Sequence, residues 1–354
     1  MTLELRNITK RVGAETHINE TSLTLASDGF NILLGATSAG KTTLIKLMAG
    51  LEKPTDGQIL INGRDVTRTS PQTRNVSLVH QFFVNYPNMN VAENIASPLR
   101  VARLAPDEIK HRVDEAVELL RLGPYLDRKP AELSGGQQQR TALARAIVKD
   151  ADLVLLDEPL ANLDYKLREE LRDQLPRLFA DRGAVVVYAT SEPIEALMLG
   201  GSTACLREGR VTQFGPTPDV YRRPGDLATA EVFSDPPINA VPVVKAGGEI
   251  RLGADASWPV AGAMARAADG DYLMGVRPHY VSPVPSDGAV PVAGTVQITE
   301  LSGSESVAHF DLDGRSWVSQ SAGVHDYRVG ERHQFYIDPA GCLFFGPDGQ
   351  RLAA

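Results

Sequence analysis

The run Gly35-Ala36-Thr37-Ser38-Ala39-Gly40-Lys41-Thr42 fits the phosphate-cradling pattern G-x-x-x-x-G-K-[ST], between an apolar FNILL and a helical TTLIKLMAG. Glycines let successive backbone N–H groups turn inward at the β- and γ-phosphates of a nucleotide. Lys41 adds a point charge, the Thr42 hydroxyl can ligate Mg²⁺ with Thr43 beside it, and a helix N-terminus favours the anion. A second segment, DLVLLDEP, delivers Asp157 and Glu158 to the carboxyl end of an apolar strand, where ligands of open α/β sheets gather. Asp157 suits a magnesium shell. Glu158, one residue on, suits a general base that polarises an attacking water, a role worth roughly 10²–10⁴ in rate; a strand ending in a solvated acidic turn is the other use of this pair.

A third segment, LSGGQQQRTALARAIVKD, has Ser134 as an N-cap, Gly135 and Gly136 exposing backbone N–H groups, and Gln137 after them. Ala142, Leu143, Ala146 and Ile147 give the helix an apolar face. It is a second, separate anion-binding terminus. One active site does not need two cradles, so this one serves a nucleotide held mainly by another subunit, or else it is a well-capped structural helix.

These residues need strands to carry them and helices to space the strands. FNILLG, VSLVHQ, DLVLLDEP and AVVVYAT are short, branched and unalternating, as suits parallel strands buried on both faces. PDEIKHRVDEAVELLRLGP reads as a helix: Pro106, Asp107 and Glu108 form its first turn, Ile109, Val113, Val117 and Leu120 one stripe, and Gly123-Pro124 its end. Strand and helix alternate to about residue 200, an α/β pattern. After the Pro/Asp-rich RRPGDLATAEVFSDPPIN, GTVQITEL and AHFDLDGRSWVSQ alternate with period two, and Asp313-Gly314 is a hairpin signal. The expected division is therefore an α/β nucleotide-binding domain over 1–235, with a helical insert about 85–150, and a small all-β domain over 236–354. Trp258 and Trp317 read as core.

In the order GATSAGKTT, VHQFFVNYPNMNVAENI, LSGGQQQR, LVLLDEPLANLD, the chain resembles the ATP-binding subunit of an ABC transporter. YPNMNVAENI, YLDRKPAELSGGQ and the C-terminal MGVRPHYVSP resemble carbohydrate and polyol importers of the maltose and glycerol-phosphate type. The resemblance covers nearly the whole chain. It implies a P-loop ABC ATPase domain followed by an OB-like β-barrel, with ATP and Mg²⁺ as cofactors. It further implies a head-to-tail dimer in which each nucleotide lies between the Lys41 loop of one chain and Ser134, Gly135, Gly136 and Gln137 of the other. Gln81 then falls at a lid that senses Mg²⁺ and the attacking water, and Asp164 in a loop that reaches across the dimer; taken alone, Gln81 is a strand-end polar residue and Asp164 a helix cap before YKLREEL. The stretch after Gln81, through Ile109 to Leu120, is implied to receive a cytoplasmic helix of a membrane subunit. The implied partners are two membrane-spanning permease subunits, a second ATPase subunit and, indirectly, an extracytoplasmic substrate-binding protein, with the chain peripheral on the cytoplasmic face of the membrane. The tail is expected to enlarge a dimer contact rather than to bind a ligand.

Two positions depart from the family pattern. Where the strand after the dimer loop ends in a histidine that touches the γ-phosphate, VVVYATSEPIEA has Ser191, which is short and non-basic. Where an aromatic residue stacks on adenine, NITKRVG has Val12. Losing that stack removes roughly 0.5–1.5 kcal/mol, and nearby His17 is a substitute. Nucleotide binding reads as intact and hydrolysis as impaired at this chain's own loop. The favoured arrangement is an asymmetric pair with an unlike ATPase chain, because the departures fall on this chain's pocket and spare what it lends. A homodimer that tolerates serine, and a non-catalytic scaffold subunit, stay open; Glu158 speaks for the enzyme and Ser191 for the scaffold. The formal net charge of -8 and the lack of a Lys/Arg run argue against nucleic acid or an anionic lipid surface as the main partner. The only cysteines, Cys205 and Cys342, have no metal-type spacing and read as buried small hydrophobes in a reducing compartment. The N-terminus lacks a secretory pattern, and no stretch approaches the roughly 20 apolar residues of a spanning helix.

Overall fold

Antiparallel strands β1 (Thr2–Val12) and β2 (Glu15–Ala26) open the chain, followed by β3 (Phe30–Leu34), α1 (Lys41–Ala49), β4 (Asp56–Ile61), β5 (Arg64–Asp65) and β6 (Val76–Val79). Three helices come next, α2 (Val91–Val101), α3 (Pro106–Leu119) and α4 (Gly135–Val148). The chain then runs through β7 (Leu153–Asp157), α5 (Tyr165–Ala180), β8 (Val185–Thr190), α6 (Pro193–Leu199), β9 (Ser202–Arg207) and β10 (Arg210–Pro216). This is a computed structural model, and it describes residues 1–180 and 182–352. The chain divides into two compact units, Met1–Val220 and Tyr221–Ala354.

In the first unit a six-stranded sheet has the order β10-β9-β3-β8-β7-β6, parallel except where β10 joins β9. A second, antiparallel sheet has the order β2-β1-β4-β5. Every residue of β3, β7 and β8 is buried, as unalternating branched runs require when helices cover both faces. The expectation of two buried faces fails at β6, whose VSLV alternates between buried and half-buried, because β6 is the sheet edge. Leu44, Ile45, Leu47 and Met48 of α1 share one core with Leu33, Leu155 and Val187 of the strands beneath. That packing fixes the loop before α1 at the carboxyl ends of β3 and β7.

The second unit continues with α7 (Thr217–Arg222), which straddles the division, and α8 (Leu227–Val232). Its first sheet uses β11 (Asn239–Ala246), β12 (Glu249–Leu252), β13 (Ala256–Pro259) and β14 (Gly270–Val276), with the short α9 (Ala263–Arg266) between the last two. The second uses β15 (Val281–Ser282), β16 (Val290–Leu301), β17 (Glu305–Leu312), β18 (Arg315–Ala322) and β19 (Arg332–Ile337), and β20 (Cys342–Phe345) returns to the first sheet. Both sheets are antiparallel, in the orders β13-β12-β11-β14-β20 and β15-β19-β16-β17-β18. Together they form a barrel-like module around Trp258, Met274, Phe310, Trp317 and Phe335. Asp313 (φ 52°) and Gly314 (φ 74°) make the β17–β18 hairpin turn, the left-handed pair that Asp-Gly supplies at least cost. The expected change of character at residue 236 falls later than this division: Leu227 N–H donates to Gly349 O (2.9 Å) and Arg351 N–H to Gly225 O (2.8 Å), so 221–235 is tied to the C-terminal unit. Cys205 is buried as expected; Cys342 is only partly so, although burial pushes its thiol up to about 12.

Candidate functional site

The loop after β3 is held from both sides. Gly35 N–H donates to Thr190 O at the end of β8 (3.3 Å), and Gly209 N–H donates to Ala39 O (3.0 Å). A Cβ on Gly35 would lie 2.5 Å from Leu206 O, so only glycine fits there. Ser38 (φ 70°) and Gly40 (φ 108°) take left-handed backbone, and α1 begins at Lys41. Lys41 is 5% exposed; its Nζ donates to Gly35 O (2.6 Å) and Ala36 O (3.0 Å) and stands 3.5 Å from Glu158 Oε1. Burial lowers the Lys41 pKa, and the Glu158 carboxylate opposes that shift.

Thr42 Oγ1 donates to Asp157 Oδ2 (2.9 Å), whereas the other carboxylate oxygen, Oδ1, is buried with no hydrogen-bond partner among the described residues. Burial raises the Asp157 pKa against the opposing pull of Thr42 and His80. An orphaned carboxylate oxygen beside a threonine hydroxyl is a fit for Mg²⁺, which takes one or two protein oxygens and completes its octahedron from phosphate and water. Among the described residues no group of three His, Cys, Asp or Glu could hold a metal alone, which agrees with that sparse donor set. Glu158 sits at φ 48°, with its N–H on Ala189 O (3.0 Å), and accepts a long bond from Gln81 Nε2 (3.4 Å).

Thr37, Ser38, Lys41, Thr42, Gln81 and Glu158 line a cleft of about 590 Å³, whereas Gly35, Ala36, Ala39 and Asp157 are not in its lining. Thr43 and Gly40 also line it, as do Glu15, Thr16, His17, Glu208 and Gly209. Val12 does not reach it: it is 50% exposed at the end of β1, paired with Glu15. A larger groove of about 730 Å³ between α3 and α5 contains none of these residues, and its walls carry ion pairs such as Arg112 with Asp150 and Arg121 with Glu170.

Ser134, Gly135, Gly136, Gln137, Asp164 and Ser191 do not line this cleft. Ser134 caps α4 in a capping box, accepting from Gln137 N–H (3.4 Å) while its own N–H donates to Gln137 Oε1 (3.0 Å). Gly135 is exposed, so this helix terminus faces outward. Asp164 Oδ1 accepts from Leu167 N–H (3.0 Å), capping α5, and Ser191 is exposed just past β8. Three further polar residues tie the pieces together without any local spacing to mark them. Gln139, fully buried, donates to Pro159 O (2.6 Å) and accepts from Asn162 N–H (3.2 Å), bracing the turn that carries Glu158. Arg168 and Glu195 form the second brace, described below.

A mononucleotide-sized cleft at the strand ends of a parallel sheet, a P-loop, an adjacent carboxylate pair and a separate outward-facing helix terminus define an ABC-type ATPase. The ABC transporter family model matches residues 18–161 and the TOBE domain model residues 274–345. The chain is 34% identical, over 99% of both chains, to the sn-glycerol-3-phosphate import ATP-binding protein UgpC of Cupriavidus pinatubonensis. It is 37% identical to the UgpC of Ruegeria pomeroyi, over 88% of this chain and 87% of that one. The fold resembles the ATP-binding cassette MJ0796, solved as a dimer in a post-hydrolysis state bound to ADP and Pi, with a TM-score of 0.56 and 28% identity, covering 61% of this chain and 98% of that one. The chain belongs to the ABC transporter ATP-binding proteins, with a C-terminal TOBE domain. The barrel resemblance and the ATPase class expected from the sequence both hold.

Proposed function

We propose that this chain is the ATP-binding subunit of an importer for glycerol 3-phosphate or a related polyol, and that it works as one half of an asymmetric ATPase pair. The end-to-end match to UgpC proteins supports the substrate class. The asymmetry is carried by one observation: Lys41, Thr42, Asp157 and Glu158 stand together, whereas residue 191, just past β8 and outside the cleft lining, is a short, exposed serine. MgATP, when bound, supplies the phosphoanhydride and the cation that shields it. Lys41 leaves the carbonyls of Gly35 and Ala36 for the phosphates, and the P-loop N–H groups surround them. Asp157 and Thr42 present oxygens to the cation. Glu158, held beside Gln81, polarises the attacking water. Ser191 cannot extend a basic ring toward the γ-phosphate, so turnover in this pocket is slow, whereas Ser134, Gly135, Gly136 and Gln137, with Asp164, are available to a partner's nucleotide. The chain then docks at the membrane through permease subunits, with the exposed Phe82, Val84 and Tyr86 after Gln81 as an apolar contact. Among the described residues no helix is long and apolar enough to cross by itself.

The deciding experiment is steady-state ATP hydrolysis by the purified chain, with Glu158→Gln as blank and Ser191→His beside it. The asymmetric reading expects wild type near the blank and a gain of tenfold or more in Ser191→His. Wild-type turnover far above the blank favours a homodimer that tolerates serine. A flat result in all three favours a non-catalytic subunit.

A further inference from the structure

The side chain of Glu195, on α6 and four residues past Ser191 in the segment VVVYATSEPIEA, is only 3% exposed. Four donors converge on it. Arg168 reaches Oε1 through Nε (3.1 Å) and a terminal nitrogen (2.8 Å), while Tyr188 OH (3.0 Å) and Thr190 Oγ1 (2.6 Å) reach Oε2. The network continues at both ends. Thr190 Oγ1 accepts from Glu192 N–H (3.0 Å), closing the turn that carries Ser191, and Thr190 O accepts from Gly35 N–H, the first glycine of the P-loop. Arg168 also pairs with Glu192, and its backbone N–H bonds Asp164 O (2.9 Å).

A buried ion pair of this kind is weak evidence of stabilisation, since apolar packing of equal volume often does as well. What the charges supply here is direction. Three partners, one guanidinium and two hydroxyls, converging on one carboxylate admit few arrangements, and they fix residue 190 relative to the start of α5. We propose that Glu195 is a positioning residue that locks the turn carrying residue 191 to the Asp164 loop, so that displacement of that loop by a partner subunit is felt at residue 191 and at Gly35. This rests on the proposed placement of residue 191 at the γ-phosphate only for its catalytic consequence; the mechanical coupling stands apart from it.

Both parts are testable in the full-length chain. Glu195→Gln keeps the shape and removes the charge; because it can fail to fold, Thr190→Val, which removes one hydroxyl, is the second variant and Thr190→Ser its conservative rescue. Hydrogen exchange is read in peptides covering 164–168 and 190–196, with 44–49 in α1 as reference. Thr190→Val is expected to speed exchange at least fivefold in both segments and leave the reference unchanged, with Thr190→Ser restoring the wild-type rates. In the Ser191→His background the same change is expected to cut kcat at least tenfold while KM for ATP stays within twofold. Unchanged exchange in 164–168 would overturn the coupling, as would Thr190→Ser behaving like Thr190→Val. Coupled exchange with no hydrolysis in any Ser191→His protein supports the lock and counts against the reading of residue 191.

Discussion

Glu158 is held in a conformation that costs a non-glycine residue about 1–3 kcal/mol, and its carboxylate lies within reach of both Lys41 and Gln81. The strain puts the side chain beyond the strand, over the cleft, rather than into the sheet as strand alternation would direct it. In the resting site the carboxylate offsets the desolvated charge of Lys41; with a triphosphate bound it faces like charge. In the Ser191→His background, where turnover is expected, Glu158→Gln is accordingly expected to lower ATP hydrolysis about 10²–10⁴-fold while binding a fluorescent ATP analogue at least as tightly as its parent. Parallel loss of binding and turnover would mean that Glu158 builds the cleft rather than working in it. Thr37, Ser38, Gly40, Lys41, Thr42, Gln81 and Glu158 of this cleft were legible in the sequence because each lies in or beside a contiguous motif, whereas Glu15, Thr16, Glu208 and Gly209 reach it from the start of β2 and the turn between β9 and β10, which no motif marks. Glu195, Arg168 and Gln139 were not, since their partners lie 5 to 27 residues away in sequence and nothing local marks them. His279 makes a second residue-scale case. Although its side chain is largely exposed, partial desolvation and then Arg277 nearby lower its pKa, so the unfolded chain takes up a proton first, near 6.5. The C-terminal unit is therefore expected to lose stability as pH falls through that value, with His279→Gln flattening the slope in melts taken between pH 5 and 8.

At the scale of elements, α4 does two things at once. Its N-terminus faces outward with Ser134 and Gly135, and one turn further in Gln139 grips the Glu158–Asn162 turn. A Cβ on Gly136 would come 3.1 Å from Asn162 O, so helix and turn are pressed together on the outer side as well. Gln139→Leu would leave the buried Pro159 carbonyl unpaired and the Asn162 N–H without its side-chain acceptor, at a cost of about 1–3 kcal/mol for the buried group. The expectation is a lower melting temperature together with a loss of hydrolysis larger than the loss of ATP affinity, because the strained turn relaxes while the P-loop does not. Equal losses would make Gln139 a general support. Element types followed from period and length: unalternating runs became the central strands and the Ile109–Leu120 stripe became α3. What the sequence could not carry was sheet order. That β6 lies at an edge, and so alternates, depends on which strand stands beside β7, a tertiary fact.

At the scale of the molecule, the chain's change of character and its change of core fall at different places. The Pro/Asp-rich passage suggested a new domain from 236, but α8 and the residues before it belong to the C-terminal unit. Phe233 is 1% exposed and meets the Tyr221 ring edge-on at 5.7 Å, and Arg277 stacks over Tyr221 at 4.0 Å while donating to its carbonyl (2.6 Å). Ala230, Ile238, Leu343 and Phe345 close a small core of their own. Composition concealed this, because a segment rich in Pro, Asp and Arg looks like a linker whether or not its few apolar residues are seated. Two fragments separate the alternatives. Residues 221–354 keep the whole small core; residues 236–354 lose Phe233, worth roughly 1.5–3 kcal/mol on burial, and leave the buried Arg277 guanidinium without its Tyr221 partner. The longer fragment is expected to melt cooperatively, and the shorter one at least about 6 °C lower, by the usual conversion for a domain of this size. Indistinguishable melting curves would mean that 221–235 is a linker after all, and that the barrel strands alone make the folding unit.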